Sequence, residues 1–380
     1  MSRRHLLTGA TGFVGGAIAL ELLQRTDATL FCIVRPQAPN DDVQVRLEQS
    51  LTTAARAYSL DHLVAEIPHR CTALAGDILT PHGGVAHIPP VDEVWHAAAS
   101  LKFAEEHRRE IWAHNVDGTR HILDLARVTG AEAFNHVSTA YVAGRRQGFI
   151  LEEPVPDESP TNNCYEASKV VAEQLVVASG LYSRIFRPSI VIGHSRTLVA
   201  TSFTGIYGFI RSVVHFHTRL ARHLGLDLQR QSLQLRATSD ARLNLNPVDQ
   251  VARDMVAVSL ASATATTPSG RIYHVTNDHP PRLGMAMGLL FQVLGLKPPH
   301  FVRHREYLAA PEQLLDDHLT FYTSYMGNTK VFSRRHTDAL VGPEGGAWWP
   351  DELELVRHFR WYLEVMKEGL SHACRHIHAH

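Results

Sequence analysis

The chain has 380 residues, of which 44% are hydrophobic and 20% charged, an ordinary globular composition. Its 37 Lys and Arg offset 38 Asp and Glu, so no global field draws it to nucleic acid or to an anionic membrane. Four cysteines without C-x-x-C spacing, no run of 18 apolar residues and an N-terminal apolar stretch too short for a signal peptide argue against a disulfide scaffold, a membrane span and secretion, leaving the cytoplasm as the expected location.

The first half alternates strand-like and helix-like segments, which predicts a parallel sheet covered by helices on both faces. Expected strands are His5–Thr8, Thr29–Val34, Thr72–Ala75, Glu93–His96, Ala133–Ser138 and Ser183–Arg187. Helices are expected at Val14–Gln24, Val43–Tyr58, Glu105–Ala126 (with a break near His114) and Cys164–Ala178. After Arg187-Pro188 the rhythm changes. Ser202–Leu224 reads as a helix, Gln229–Asn246 as irregular, Val248–Ala261 as a helix and Arg271–Thr276 as a strand. From Arg282 onward the chain reads mainly as helices, broken at Lys297–His300. The predicted architecture is a Rossmann-type doubly wound α/β domain over residues 1–193. A smaller, mainly helical substrate region would follow over 194–380, with a return to the first domain around 244–277. The chain has 25 histidines, four of them in the tail His372–His380, which reads as a frayed end.

The first strand runs into Thr8-Gly9-Ala10-Thr11-Gly12-Phe13-Val14-Gly15, a G-x-x-G-x-x-G turn that opens a helix. Gly9 would allow the tight turn, Gly12 a close approach of pyrophosphate, and Gly15 close packing of helix on strand. The helix N-terminus would add amide donors for phosphate. The residue that selects at the ribose 2′ position is expected about 20 residues later. Arg35 stands there in place of an acid. A guanidinium pairs with a 2′-phosphate, so the cofactor is expected to be NADPH; the alternative is a solvent-facing arginine. Asp77, after the third strand, would accept from the adenine amino group or cap its own loop. Ala97, Ala98 and Ala99, after the fourth strand, would let backbone lie along the cofactor.

Tyr165 and Lys169 lie at i and i+4 on one predicted helix face. An ammonium there would lower the phenol and make it a proton donor near neutral pH. Thr139, at the carboxyl end of the fifth strand, would hold a substrate carbonyl, with Ser138 as the competing choice. Thr139, Tyr165 and Lys169 thus form an acid/base set for hydride transfer.

With these motifs the chain resembles the extended short-chain dehydrogenase/reductase superfamily, and within it the thioester-reductase and fatty acyl-CoA reductase branch, the male-sterility-type NAD-binding domain. The likeness rests on Thr8–Gly15, Cys32–Arg35, Gly76–Ile78, Trp95–Phe103, Asn115–Thr119, His136–Val142, Tyr165–Lys169, Arg187–Gly193 and Asn246–Asp249. It implies cofactor contacts from Gly9, Thr11, Gly12, Phe13, Val14, Gly15, Arg35, Asp77, Ile78, Ala97, Ala98, Ala99, Asn115, Tyr165, Lys169, Pro188 and Ile190. It places Ser100, Lys102, Ser138 and His194 near the substrate and calls for no metal. It implies that the substrate is an acyl thioester on an acyl carrier protein or coenzyme A, reduced to an aldehyde or on to an alcohol. The rival readings are an NADP-dependent ketone or alcohol oxidoreductase, a nucleotide-sugar enzyme using Arg211, Arg219, Arg222 and Arg236 for a diphosphate, and a non-catalytic NADPH-sensing scaffold.

Overall fold

Short runs rich in Leu, Val, Ile and Phe, apolar on both sides, form strands that are covered on both faces. The computed structural model describes residues 2–156, 158–221, 225–262, 267–327, 329–342 and 348–377. Arg222 and the ends of the histidine tail, His378 and His380, fall outside them. Seven strands build the central sheet: β1 (Arg4–Thr8), β2 (Thr29–Val34), β3 (Cys71–Ala75), β4 (Glu93–His96), β5 (Ala133–Val137), β6 (Ser183–Pro188) and β7 (Arg271–Val275). They are all parallel, in the order β7-β6-β5-β4-β1-β2-β3. The predicted strands match these within a residue at either end, and the doubly wound class stands.

The sheet divides its helices between two faces. Leu7, Trp95 and Phe186 pack with α1 (Phe13–Arg25), α2 (Val43–Ala57) and α5 (Val248–Ser262). Leu6, Val94, Phe134 and Ile185, one residue out of phase, pack with α3 (Gly118–Val128) and α4 (Cys164–Ala178). Each fully buried aliphatic side chain here contributes about 1.5–3 kcal/mol. The expected break near His114 is a π-helical turn, Ala113–Asp117, between Arg108–Trp112 and α3.

The chain forms two compact units, 1–202 with 245–278 and 331–348, and 203–244 with 279–330 and 349–380. In the second, the helix expected over Ser202–Leu224 runs from Ile206 to His215 and continues as a π-helical turn, Phe216–Ala221. The segment read as irregular contains a strand, Gln234–Arg236. It pairs with His300–Val302, where the prolines had suggested only a break. Three-residue strands carry too little pattern to be read from sequence. Phe203 and Tyr207 pack on Trp361 and Tyr362, so this apolar run is core of that unit. Trp348 is buried in the first unit, whereas Trp349 is exposed and stacks on His279 in the second.

At the amino ends of the strands a buried polar network ties four elements together. Glu93 Oε2 accepts from Asn135 Nδ2 at 2.8 Å, Ser259 Oγ at 2.8 Å and Arg184 Nη1 at 3.4 Å. Its Oε1 accepts from Arg3 Nη1 at 2.7 Å. Arg184 also donates to Ser262 Oγ and lies over the Tyr182 ring. Replacing Glu93 with Leu would leave Arg184 buried without its carboxylate. The expected loss in urea unfolding is about 3–5 kcal/mol, with cofactor affinity at the opposite strand ends unchanged.

Candidate active site

The strand order reverses between β1 and β4, and in open parallel sheets ligands bind at the carboxyl ends beside such a point. β1 delivers Gly9 there with φ +80, a conformation that a residue with a Cβ avoids. A Cβ on Gly9 would stand 2.8 Å from the Ala98 nitrogen and 2.9 Å from the Ala97 carbonyl carbon. The glycine turn and the Ala97–Ala99 backbone thus lie against each other. A Cβ on Gly15 would come within 2.1 Å of the Gly9 carbonyl oxygen, so Gly15 brings α1 onto the turn itself rather than onto the strand. Gly12 stands at the N-cap of α1 with no side-chain cap, and the first turn carries no acid. Thr11 and Gly12 are exposed, and Phe13 and Val14 are half-buried. The amides of this helix end are therefore left for an anion.

Arg35 follows β2, exposed, and its guanidinium has no partner among the described residues. Arg46 of α2, which sequence reasoning passed over, donates to the Arg35 carbonyl and pairs with Asp41. After β3, Asp77 Oδ1 accepts from the Leu79 amide at 3.0 Å, so this carboxylate caps its own loop. Ile78 is buried and its carbonyl accepts from His121 Nδ1 at 2.9 Å.

Thr8, His96 and His136 form one row across β1, β4 and β5. Burial lowers His96 to about 3, with Lys169 adding to the shift, so the ring is neutral. Its Nδ1 pairs with Thr8 Oγ1 at 2.8 Å, and its Nε2 with Thr119 Oγ1 at 3.1 Å. The Thr8 oxygen accepts from Ala98 N, and Thr119 donates to the Asn115 carbonyl. Asn115, on the π-helical turn, accepts from Ser100 N and donates to Ser100 O and to Ser168 Oγ of α4. Predicted as a cofactor contact, it is placed as the clamp between the β4 end and α4.

Lys169 is fully buried and turns inward, donating to Val137 O at 2.8 Å and reaching His136 Nε2 at 3.3 Å. Burial lowers it to about 8, against a smaller upward push from Glu173. Tyr165 is 8% exposed, edge-on to Phe103, and its hydroxyl has no partner among the described residues. Its phenol moves opposite to expectation. Burial raises it above its ordinary value, Glu166 adds to the rise, and the ammonium that was to lower it is directed at β5. Thr139 is 7% exposed and accepts from the Tyr141 amide at 3.2 Å, which leaves its own proton undonated. Ser138 instead donates to Glu173 Oε1 at 2.5 Å. Arg187 grips the same carboxylate through Nε at 2.9 Å and Nη2 at 2.6 Å. Glu173 continues the stripe of Tyr165 and Lys169 by one more helical step, a spacing visible in the sequence but not read there.

The remaining predicted residues take structural places. Lys102 is exposed and paired with Glu110 at 2.7 Å. His194 is buried, stacks on Tyr58 and accepts the Arg196 amide at Nδ1. Asp249 of α5 binds the neighbouring Ser195 through its amide and hydroxyl. Pro188 ends β6 buried, and Ile190 is half-buried on a short strand paired with Leu245–Pro247. Arg236 pairs with Asp316 inside the second unit, and Arg211 and Arg219 are exposed there.

The sequence profile of the family described as Male sterility protein matches residues 7–255. A linear gramicidin synthase of Brevibacillus parabrevis is 31% identical over 207 residues, 50% of this chain and 4% of its own length. A fatty acyl-CoA reductase of Drosophila melanogaster is 27% identical over 307 residues, 72% of this chain and 57% of its own. The chain therefore spans only part of each of these relatives. Among solved structures, the terminal R domain from the myxalamid PKS-NRPS biosynthetic pathway superposes with a TM-score of 0.74 at 27% identity, covering 96% of this chain and 91% of that one.

The lowered Lys169 has a consequence for stability. Between about 8 and its ordinary value of 10.5 the folded chain binds fewer protons than the unfolded one, so stability rises with pH across that window and burial of the charge is most costly below it. Lys169→Met is expected to gain about 3 kcal/mol in urea unfolding at neutral pH, shrinking as pH approaches 10.5. A variant less stable than the parent at both pH extremes would contradict the placement.

Proposed function

This chain belongs to the male sterility protein family, and from that premise we propose that it reduces an acyl thioester with NADPH. The observation that carries the assignment is the state of three hydroxyls, those of Ser138 and Thr139 just after β5 and that of Tyr165 on α4. Ser138 spends its proton on Glu173, whereas Thr139 and Tyr165 donate theirs to no described residue. Two donors without a partner among the described residues suit a carbonyl oxygen that gains negative charge.

The residues present fit a dinucleotide: a glycine cradle that a Cβ would fill, an uncapped helix end and a free guanidinium after β2. NADPH, when bound, supplies the hydride for the carbonyl carbon. Thr139 and Tyr165 hold the carbonyl oxygen, and Tyr165 gives it a proton. The raised phenol suits this role, because Tyr165 stays protonated until the oxyanion develops. Lys169, a cation below about pH 8, keeps two of its hydrogens on β5 and has the third for the ribose and the phenol. The resulting hemithioacetal returns its hydroxyl proton to Tyr165 as the carbon–sulfur bond breaks, releasing the aldehyde and a thiolate that takes up a proton from solvent. Thr139 and Tyr165 would serve an aldehyde carbonyl in the same way, which would allow a second reduction to the alcohol. Arg35 binds the 2′-phosphate, and the thiol belongs to a carrier protein or to coenzyme A. The names of the relatives, an assembly-line R domain and a fatty acyl-CoA reductase, support both sources.

The test is NADPH consumption with acyl-CoA and acyl-pantetheine substrates, with products identified. Tyr165→Phe is expected to lower kcat/KM about a thousandfold and Thr139→Val about a hundredfold. Turnover of ketones or sugar nucleotides in place of thioesters would overturn the reading. Separately, Arg35→Asp should weaken NADPH binding by at least about tenfold and leave NADH nearly unchanged. An unaltered ratio of the two affinities would remove Arg35 from the cofactor site.

A further inference from the structure

Lys169 is a cation in the interior that is bonded to no carboxylate among the described residues. Glu173 lies one helical turn away, but its oxygens are occupied by Ser138 and by both arms of Arg187. The two groups that receive Lys169 both come from β5: the Val137 carbonyl and the ring of His136. His136 is completely buried. Because Nε2 receives the ammonium, the ring proton sits on Nδ1, which has no partner among the described residues. That arrangement leaves a donor unsatisfied, so His136 is not placed by its own hydrogen bonding. His96, the next ring in the row at 5.6 Å between centroids, is neutral and held at both nitrogens.

We propose that His136 is a positioning residue: its Nε2 and the Val137 carbonyl form a two-point cradle that fixes the Lys169 side chain and keeps it protonated where the nearest carboxylate, Glu173, is bonded to other groups. A neutral imidazole suits the task. A carboxylate at this position would neutralise the ammonium, and an aliphatic side chain would leave one of its hydrogens unpaired in the interior. Burial and the facing cation hold His136 well below its ordinary range, so it stays an acceptor throughout the working pH range. The charged or titratable groups facing Lys169 are Glu173 on its own helix, His136 on β5 and His96 on β4, with Arg187 of β6 held on Glu173; Tyr165, one turn back on the same helix, feels the charge of Glu166 instead. The consequence for turnover rests on the reductase reading above; the cradle itself does not.

The chain has five lysines, Lys102, Lys169, Lys297, Lys330 and Lys367, few enough to be resolved by NMR after labelling with lysine carrying 13C at Cε. The signal lost in Lys169→Arg identifies Lys169. Its midpoint in the parent is expected at about 8. In H136L it should fall by about one pH unit, a tenfold change in proton affinity, and in H136Q, whose amide oxygen can reach the Nε2 position, it should stay close to the parent value. If H136L does not fold, H136N, which is too short to reach Lys169, takes its place. An unchanged midpoint in the leucine or asparagine variant, or an equal fall in H136Q, would overturn the proposal. In thioester assays the alkaline limb of kcat/KM should move with the Lys169 midpoint in each variant. Absence of thioester turnover in the parent would sink the reductase reading alone, while the NMR comparison would still decide the role of His136.

Discussion

The site is organised around a buried ammonium. Placing Lys169 beneath the carboxyl end of β5 works against stability, and Glu173, engaged by Ser138 and Arg187, offsets the cost only in part. The chain therefore surrounds it with neutral acceptors, the Val137 carbonyl and the His136 ring, beside which the row continues to His96 and Thr8. These neighbours must be uncharged, and burial ensures that they are. The same desolvation keeps Tyr165 protonated. One environment thus sets the protonation states of Tyr165 and Lys169 together, as environments do in active sites.

The hydrogen-bond chain also connects the two halves of the chemistry. Thr8 stands immediately before the glycine turn, and its oxygen binds the backbone of Ala98. From there His96 and Thr119 lead to Asn115, which reaches Ser168, one residue before Lys169. The glycine turn and α4 are joined by side chains on regular elements and a π-helical turn, which holds them more tightly than a loop would. The network around Glu93 serves the opposite ends of the strands and anchors the sheet without touching this chemistry.

Much of this was legible in the sequence, because it is written in spacing. Alternating apolar runs located the strands to within a residue. The glycine spacing located the turn, and the Tyr165–Lys169 interval located the catalytic helix. What escaped depended on contacts between distant segments. Glu173 lay on the same helical stripe but gained its meaning only when Arg187, on β6, closed on it. The pairing of His136 with His96 depended on the register that places them side by side. The direction of the Tyr165 shift was misjudged because proximity along a helix does not show where a lysine points. The second unit was least legible, since its strands have three residues each and its core is built from aromatics far apart in the chain.

The central claim is that hydride passes from the dinucleotide to a thioester carbonyl at Thr139 and Tyr165. It is tested most directly by following label and thiol together, using NADPH deuterated at C4 and a medium-chain acyl-CoA or acyl-pantetheine. The account predicts deuterium on C1 of the released aldehyde, and one free thiol for each aldehyde formed. NADPH oxidation without thiol release, or an acyl product without deuterium at C1, would contradict it.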